Sequence, residues 1–224
     1  MPEGEPRDEQ NEDRCGEQAC RHLCGQEPVF ATIHHTWGPP PHWQRNPGFD
    51  TLVQIILEQQ VSLHSARAHY LKLREHIVQV RPENLLALSD ADFLACQVTR
   101  QKRGYLRHLS QSCVHGSLAI DELATLDDGA VVEQLCRVKG IGPWTAYVYL
   151  MFALQRADCF PPGDIALIQS MRVLLPELNS APLPQLYQVA GRWAPHRTTA
   201  AFYLWWWYLS SRRRQMPVYD MPPE

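Results

Sequence analysis

Residues 135–164 read LCRVKGIGPWTAYVYLMFALQRADCFPPGD, and this stretch decides the fold. A hydrophobic helix ends at about residue 138 and runs into Lys139-Gly140-Ile141-Gly142. Pro143-Trp144-Thr145-Ala146 starts a second helix at once, with proline at the first helical position, where its fixed φ is an advantage. Glycine permits positive φ and close approach by another backbone, so these four residues form a tight hairpin. Past the second helix, Pro161-Pro162-Gly163 makes a turn that delivers Asp164 to the start of a further helix.

Two readings of the hairpin follow from its residues. A glycine turn that opens a helix exposes amide N–H groups at the positive end of the helix dipole, which is a ready anion site. Lys139 adds a charge at the rim, and contacts of this kind fix register on a nucleic-acid backbone without reading its sequence. The same string also fits an ordinary helix–helix corner with a glycine cap. Asp164 is equally double-edged. It suits a helix N-cap, and its carboxylate suits the stabilisation of a developing positive charge.

Outward from this segment the pattern is helical. Phe49, Leu52, Val53, Ile56 and Leu57 share one face at i, i+3, i+4 spacing. Further helices are predicted over 63–80, 83–88, 90–97, 101–114, 119–125, 128–138, 143–154, 165–175, 183–193 and 197–213. Ser62, Asp90 and Asp127 are cap candidates. His34 to Pro47 reads as a proline-rich connector. No alternating strand pattern rises above noise, so the fold class is all-α with short connections.

Composition sets outer limits. The chain has 224 residues, 45% hydrophobic and 20% charged, enough for one core or two small lobes. No apolar run approaches the ~18 residues of a membrane span, and no signal peptide is visible, which implies a cytoplasmic protein, nucleoid-associated in a bacterium. The net charge of −3 is unevenly spread. Residues 1–27 hold eight acids against three arginines, leaving 16 acids and 18 bases for the rest. An acidic, apolar-poor tail over 1–27 reads as disordered, ahead of a mildly basic body compatible with DNA. Only three lysines occur: Lys72, Lys102 and Lys139.

Seven cysteines without an export signal imply reduced thiols. Cys96, Cys113, Cys136 and Cys159 sit in apolar or helical surroundings and read as small core residues. Cys15, Cys20 and Cys24 cluster with His22 but lack the paired spacing of a zinc site.

Taken whole, the string L-x-x-x-K-G-I-G-x-W-T-A followed by an acid after a proline turn resembles the helix-hairpin-helix DNA glycosylase superfamily. The 22 residues from Gly142 to Asp164 are similar to the spacing in its bacterial 3-methyladenine DNA glycosylase II branch. Leu52 to Ser62 resembles that branch's early helix and wedge loop. Arg192 to Arg197 and the aromatic run beyond it resemble its C-terminal helices. The resemblance covers about 28–208 and implies a compact form without the larger members' N-terminal β-domain. Its organisation would be a glycosylase domain over 28–214, with the DNA and active-site cleft between two lobes, and a C-terminal tail over 215–224.

The resemblance also implies a function. A monofunctional DNA glycosylase would flip an alkylated purine out of damaged double-stranded DNA and hydrolyse its N-glycosidic bond, starting base excision repair. Asp164 would be catalytic. Lys139, Gly140, Ile141, Gly142 and Thr145 would contact DNA, and Gln60 would be the wedge that fills the emptied stack. Trp205 and Trp144 would line the base pocket, where an electron-rich ring favours a cationic base. Main-chain carbonyls of Cys136, Val138 and Ile141 would hold a monovalent cation, Na+ or K+. No organic cofactor is expected, and a monomer is.

Two departures narrow this. Bifunctional members carry a lysine two residues past the second hairpin glycine. Here Trp144 stands there, so no imine forms with the sugar and β-lyase activity is not expected. Iron–sulfur members carry four cysteines after the aspartate, and none follows Cys159 here. The residues leave rivals open: the same fold acting on deaminated or oxidised bases, or a lesion-binding module without chemistry. Gln60 also fits a plain surface helix C-terminus. Some rings in Phe202–Tyr208 must be core, because neighbouring positions on a helix diverge by about 100°.

Overall fold

The computed structural model describes residues 9–77 and 79–212, with side chains from Gly16 onward. Among the described residues every regular element is helical, as expected. In chain order these are α1 (Glu9–Gln26), α2 (Pro28–Trp37), α3 (Phe49–Glu58), α4 (Leu63–His76), α5 (Pro82–Ala87), α6 (Asp90–Ala95) and α7 (Arg100–Val114). A 3-10 segment, Ile120–Thr125, leads to α8 (Asp128–Cys136) and α9 (Pro143–Phe152). Then come α10 (Ile165–Leu174), a short 3-10 turn at Pro176–Leu178, α11 (Leu183–Gly191) and α12 (Arg197–Ser210). They fall into two units. One joins the residues up to His42 with those from Asp164 on, and the other is Trp43–Gly163.

In the Trp43–Gly163 unit, α3 is buried from Thr51 to Glu58. Leu52, Val53, Ile55, Ile56 and Leu57 are fully excluded from water. α9 is nearly as enclosed, with Tyr149, Leu150 and Met151 at zero exposure. α4, α7, α8 and α9 pack around α3 and one another through Tyr70, Leu73, Leu106, Leu109, Val131 and Leu135. Two expected caps are present: Ser62 Oγ accepts from Ser65 N at 3.1 Å and Asp127 Oδ1 from Ala130 N at 2.9 Å. The third expectation, Asp90, is corrected. Ser89 caps α6 in a reciprocal box with Asp92, which satisfies two orphan donors at once. Asp90 is left at the first helical position, where it pairs with Arg103 at 3.2 Å and Arg107 at 2.8 Å. The helix predicted over 63–80 stops at His76.

The other unit is built on α12, buried at Thr198, Ala200 to Leu204 and Leu209. Ser170 Oγ on α10 donates to Leu204 O at 3.1 Å, and Trp206 Nε1 donates to Trp37 O at 3.1 Å. Phe30 packs edge-on against Trp193, with centroids 5.1 Å apart, and tilted against Tyr203 at 5.5 Å.

This unit overturns two expectations about the N-terminus. Residues 9–26 form α1 rather than a disordered tail, and Ala19 and Leu23 are buried. Gln26 Nε2 donates to Arg192 O at 2.9 Å, and Cys24 Sγ lies 3.7 Å from the Tyr203 hydroxyl. Acidic composition hid a helix whose few apolar residues meet a ready-made surface. The connector expected from His34 is helical through Trp37 and ends at Gly38, whose φ of 78° suits glycine. Residues 1–8 and 213–224 of the expected tails lie outside the described residues. If α1 belongs to the folded unit, Leu23→Ala should lower unfolding free energy by about 2–4 kcal/mol in urea denaturation. An unchanged midpoint would return the segment to a tail.

Candidate active site

Asp164 is the N-cap of α10. Its Oδ1 accepts from Leu167 N at 2.8 Å and from Trp205 Nε1 at 3.1 Å. The side chain is 8% exposed, so these donors hold a carboxylate largely withdrawn from water. The turn before it works through Gly163, at φ 74°. Trp205 is half-buried on α12 and stacks against Phe202, with centroids 6.1 Å apart and 29° between planes. The structure therefore joins two residues named from sequence, Asp164 and Trp205, by a direct hydrogen bond. Within the aromatic run, Phe202 and Tyr203 are core, whereas Trp205 to Tyr208 are half-buried. Arg212 lies 3.8 Å over the Tyr208 ring and donates to Tyr208 O at 3.3 Å, serving the helix end.

The hairpin belongs to the other unit. Val138 O accepts from Ile141 N at 3.0 Å, closing the turn between α8 and α9. Lys139 N donates to His108 Nδ1 at 3.2 Å. Two of the hairpin amides, those of Lys139 and Ile141, are thus committed internally. The amides of Gly140, Gly142 and Thr145 take no partner among the described residues, and α9 has no side-chain N-cap. Lys139 and Gly142 are exposed, whereas the side chains of Ile141 and Thr145 are 4% and 2% exposed and point inward. Those two shape the hairpin, and neither side chain reaches outward. Trp144 is half-buried at the second position of α9.

The two hairpin glycines differ. Gly140 has φ 96°, and a Cβ there would stand 2.2 Å from the Tyr105 ring. Gly142 has φ −102° and ψ 178°, an extended conformation open to any residue, and nothing lies within 4 Å of its would-be Cβ. Gly140 is thus demanded by this chain's own packing. Gly142 is not: neither its backbone conformation nor its surroundings within the chain require a glycine.

Gln60 is exposed and has φ 56°. Gln59, at φ −57° and ψ 127°, and Gln60 are the central residues of a turn, and the positive φ of the second is a conformation that normally favours glycine. A non-glycine residue held there costs about 1 kcal/mol or more, and such strain gathers at functional positions.

Several residues that position these parts were missed from sequence. Gln59 Nε2 donates to Gly140 O at 2.9 Å and Thr145 Oγ1 at 3.0 Å. Lys102, 7% exposed, donates Nζ to Leu57 O at 2.6 Å at the end of α3. Burial pulls its ammonium below the usual lysine range, and Glu58 pulls it back up. Arg45 grips Glu58 through two bonds of 2.8 and 3.2 Å, both side chains buried. Only Glu58 gave a signal: a carboxylate continuing an apolar helix face needs a buried cation. The core reading of the cysteines fits Cys96 and Cys159, which are buried; Cys113 and Cys136 are half-buried. Burial pushes the Cys113 thiol up to about 11.

The HhH-GPD superfamily base excision DNA repair protein model matches residues 53–180, more than half of the chain, and the chain belongs to that family. It is 27% identical over 167 residues to a DNA-3-methyladenine glycosylase of Bacillus subtilis, covering 69% of this chain and 55% of that protein. The chain spans little more than half the length of the Bacillus subtilis relatives it matches. Among solved structures, a DNA-3-methyladenine glycosidase of Bacillus halodurans superposes with a TM-score of 0.71 at 28% identity, over 87% of this chain and 91% of that one. The Schizosaccharomyces pombe 3-methyladenine DNA glycosylase, solved with abasic DNA, shares the fold with a TM-score of 0.75. It is 24% identical, over 84% of this chain and 95% of its own.

The contrast between the glycines is testable. Gly140→Ala should lose about 2 kcal/mol or more in urea unfolding, from positive φ and collision with Tyr105. Gly142→Ala should stay within about 0.5 kcal/mol of the parent.

Proposed function

We propose that this protein is a monofunctional DNA glycosylase that excises alkylated purines of the 3-methyladenine type from double-stranded DNA. The observation that carries this is the Asp164 carboxylate, fixed by a helix amide and the Trp205 indole at the family's spacing from the hairpin. Cleavage of an N-glycosidic bond develops positive charge on the sugar. A held carboxylate stabilises that charge without reorganising and orients or deprotonates the attacking water. An alkylated purine is itself cationic, so its bond is already weakened and needs little protonation. Half-buried Trp205 and Trp144 offer electron-rich rings for such a base, worth on the order of 1–2 kcal/mol when desolvated.

DNA would be held at the hairpin by the amides of Gly140, Gly142 and Thr145, with Lys139 beside them, as a phosphate grip. Gln60 would enter the stack the flipped base leaves, its amide satisfying the orphaned partner. Cys136 ends α8, so its carbonyl is among those without an intrahelical partner, at the negative end of the helix. With the carbonyls of Val138 and Ile141 this fits a monovalent cation, Na+ or K+, that would brace the hairpin structurally. The reaction as proposed draws on no organic cofactor and no iron–sulfur cluster. Trp144 in place of a lysine supports hydrolysis without β-lyase chemistry, as in the glycosylase II branch.

Asp164→Asn is the decisive variant. An asparagine oxygen can keep both bonds made by Oδ1, so the fold and DNA binding should survive. Base release from methylated duplex DNA should fall by at least about a hundredfold. Near-normal release would refute the mechanism. Borohydride should trap no covalent protein–DNA adduct during turnover, and efficient trapping would overturn the monofunctional assignment.

A further inference from the structure

Gln59 touches both parts of the chain to which the proposed function gives separate jobs on DNA. Its backbone forms the first central position of the turn that presents Gln60. Its side-chain amide donates one N–H to Gly140 O at 2.9 Å, inside the hairpin, and another to Thr145 Oγ1 at 3.0 Å, in the first turn of α9. Thr145 is buried, so the clasp is shielded from water on that side.

The surroundings leave this turn little freedom. Before it, Leu57 O is taken by Lys102 Nζ and Glu58 is locked onto Arg45. After it, Ser62 caps α4. Gln60 is held at positive φ between these anchors. On the hairpin side, Tyr105 closes over Gly140 and His108 takes the Lys139 amide. Each part is rigid alone, and Gln59 bonds one to the other. A glutamine suits the task because its two amide hydrogens diverge, so one planar group serves two acceptors.

We infer that Gln59 is a positioning residue that couples entry of Gln60 into the duplex to the grip of the hairpin on the backbone. This rests on the glycosylase reading above. The wedge then advances only where the backbone is seated, because both belong to one hydrogen-bonded body.

The test is a pair of double-mutant cycles on a duplex carrying a tetrahydrofuran abasic-site analogue, which is not cleaved, with Kd read by fluorescence anisotropy. Gln60→Ala, Gly142→Ala and their combination are measured in the parent and in Gln59→Met, which keeps the length and drops both bonds. In the parent, the combined loss should depart from the product of the single losses by about fivefold or more. In Gln59→Met the losses should multiply to within about twofold. Thr145→Val removes one acceptor and should abolish part of the coupling, which carries the test if Gln59→Met does not fold. Coupling unchanged in Gln59→Met, even with a lowered Tm, would overturn the inference, as would losses that already multiply in the parent. Failure of the parent to bind the duplex would instead bring down the glycosylase reading itself.

Discussion

A guanidinium buried between two helix ends underlies the hairpin unit. Arg45 precedes α3 in sequence, yet its side chain reaches the last residue of that helix, gripping Glu58 with both terminal nitrogens. Its backbone N–H donates to Phe152 O at 2.8 Å, at the last residue of α9, and its charge lies 5.1 Å over the Phe152 ring. Trp43 stacks on that ring at 6.4 Å. The negative ends of two helices therefore meet one cation and its flanking residues. A pair this deeply buried adds little net stability over an apolar substitute, but losing one partner strands a charge, at a cost of about 3–5 kcal/mol. α9 is thus secured at its start by Gln59 and at its end by Arg45, about 15 Å apart.

Much of this was legible in the chain. The glycine hairpin, Pro143 at the first helical position, the Ser62 and Asp127 caps and the Asp164 turn are local, and local chemistry decides them. What escaped was set by distant partners. Nothing in EQQVS indicates that Gln59 faces inward while Gln60 faces out, because a positive φ at Gln60 turns the two neighbours apart. Ser89 displaced Asp90 as a cap because Asp92 reciprocates, and Asp90 finds its arginines on α7, thirteen and seventeen residues on. α1 was hidden by its charge. The surface its few buried residues meet is supplied by residues nearly the whole chain away, as the contact of Cys24 with Tyr203 illustrates.

At Asp164 one oxygen serves architecture and, in the proposed reaction, chemistry. The bond from Leu167 N starts α10, and that from Trp205 Nε1 ties the same atom to α12. Cap and tether restrain the carboxylate before any ligand arrives, the kind of preorganisation that electrostatic catalysis requires. They also draw on its charge: each donor partly neutralises the oxygen it binds. The arrangement exchanges some field strength for a fixed position.

The scarcity of lysine has a practical consequence. Of Lys72, Lys102 and Lys139, the second is buried with its ammonium bonded to Leu57 O, and the first is half-buried. An amine-selective reagent therefore meets Lys139 as its most exposed lysine target. Among its lysines, chemical footprinting of this protein thus reports chiefly on the hairpin.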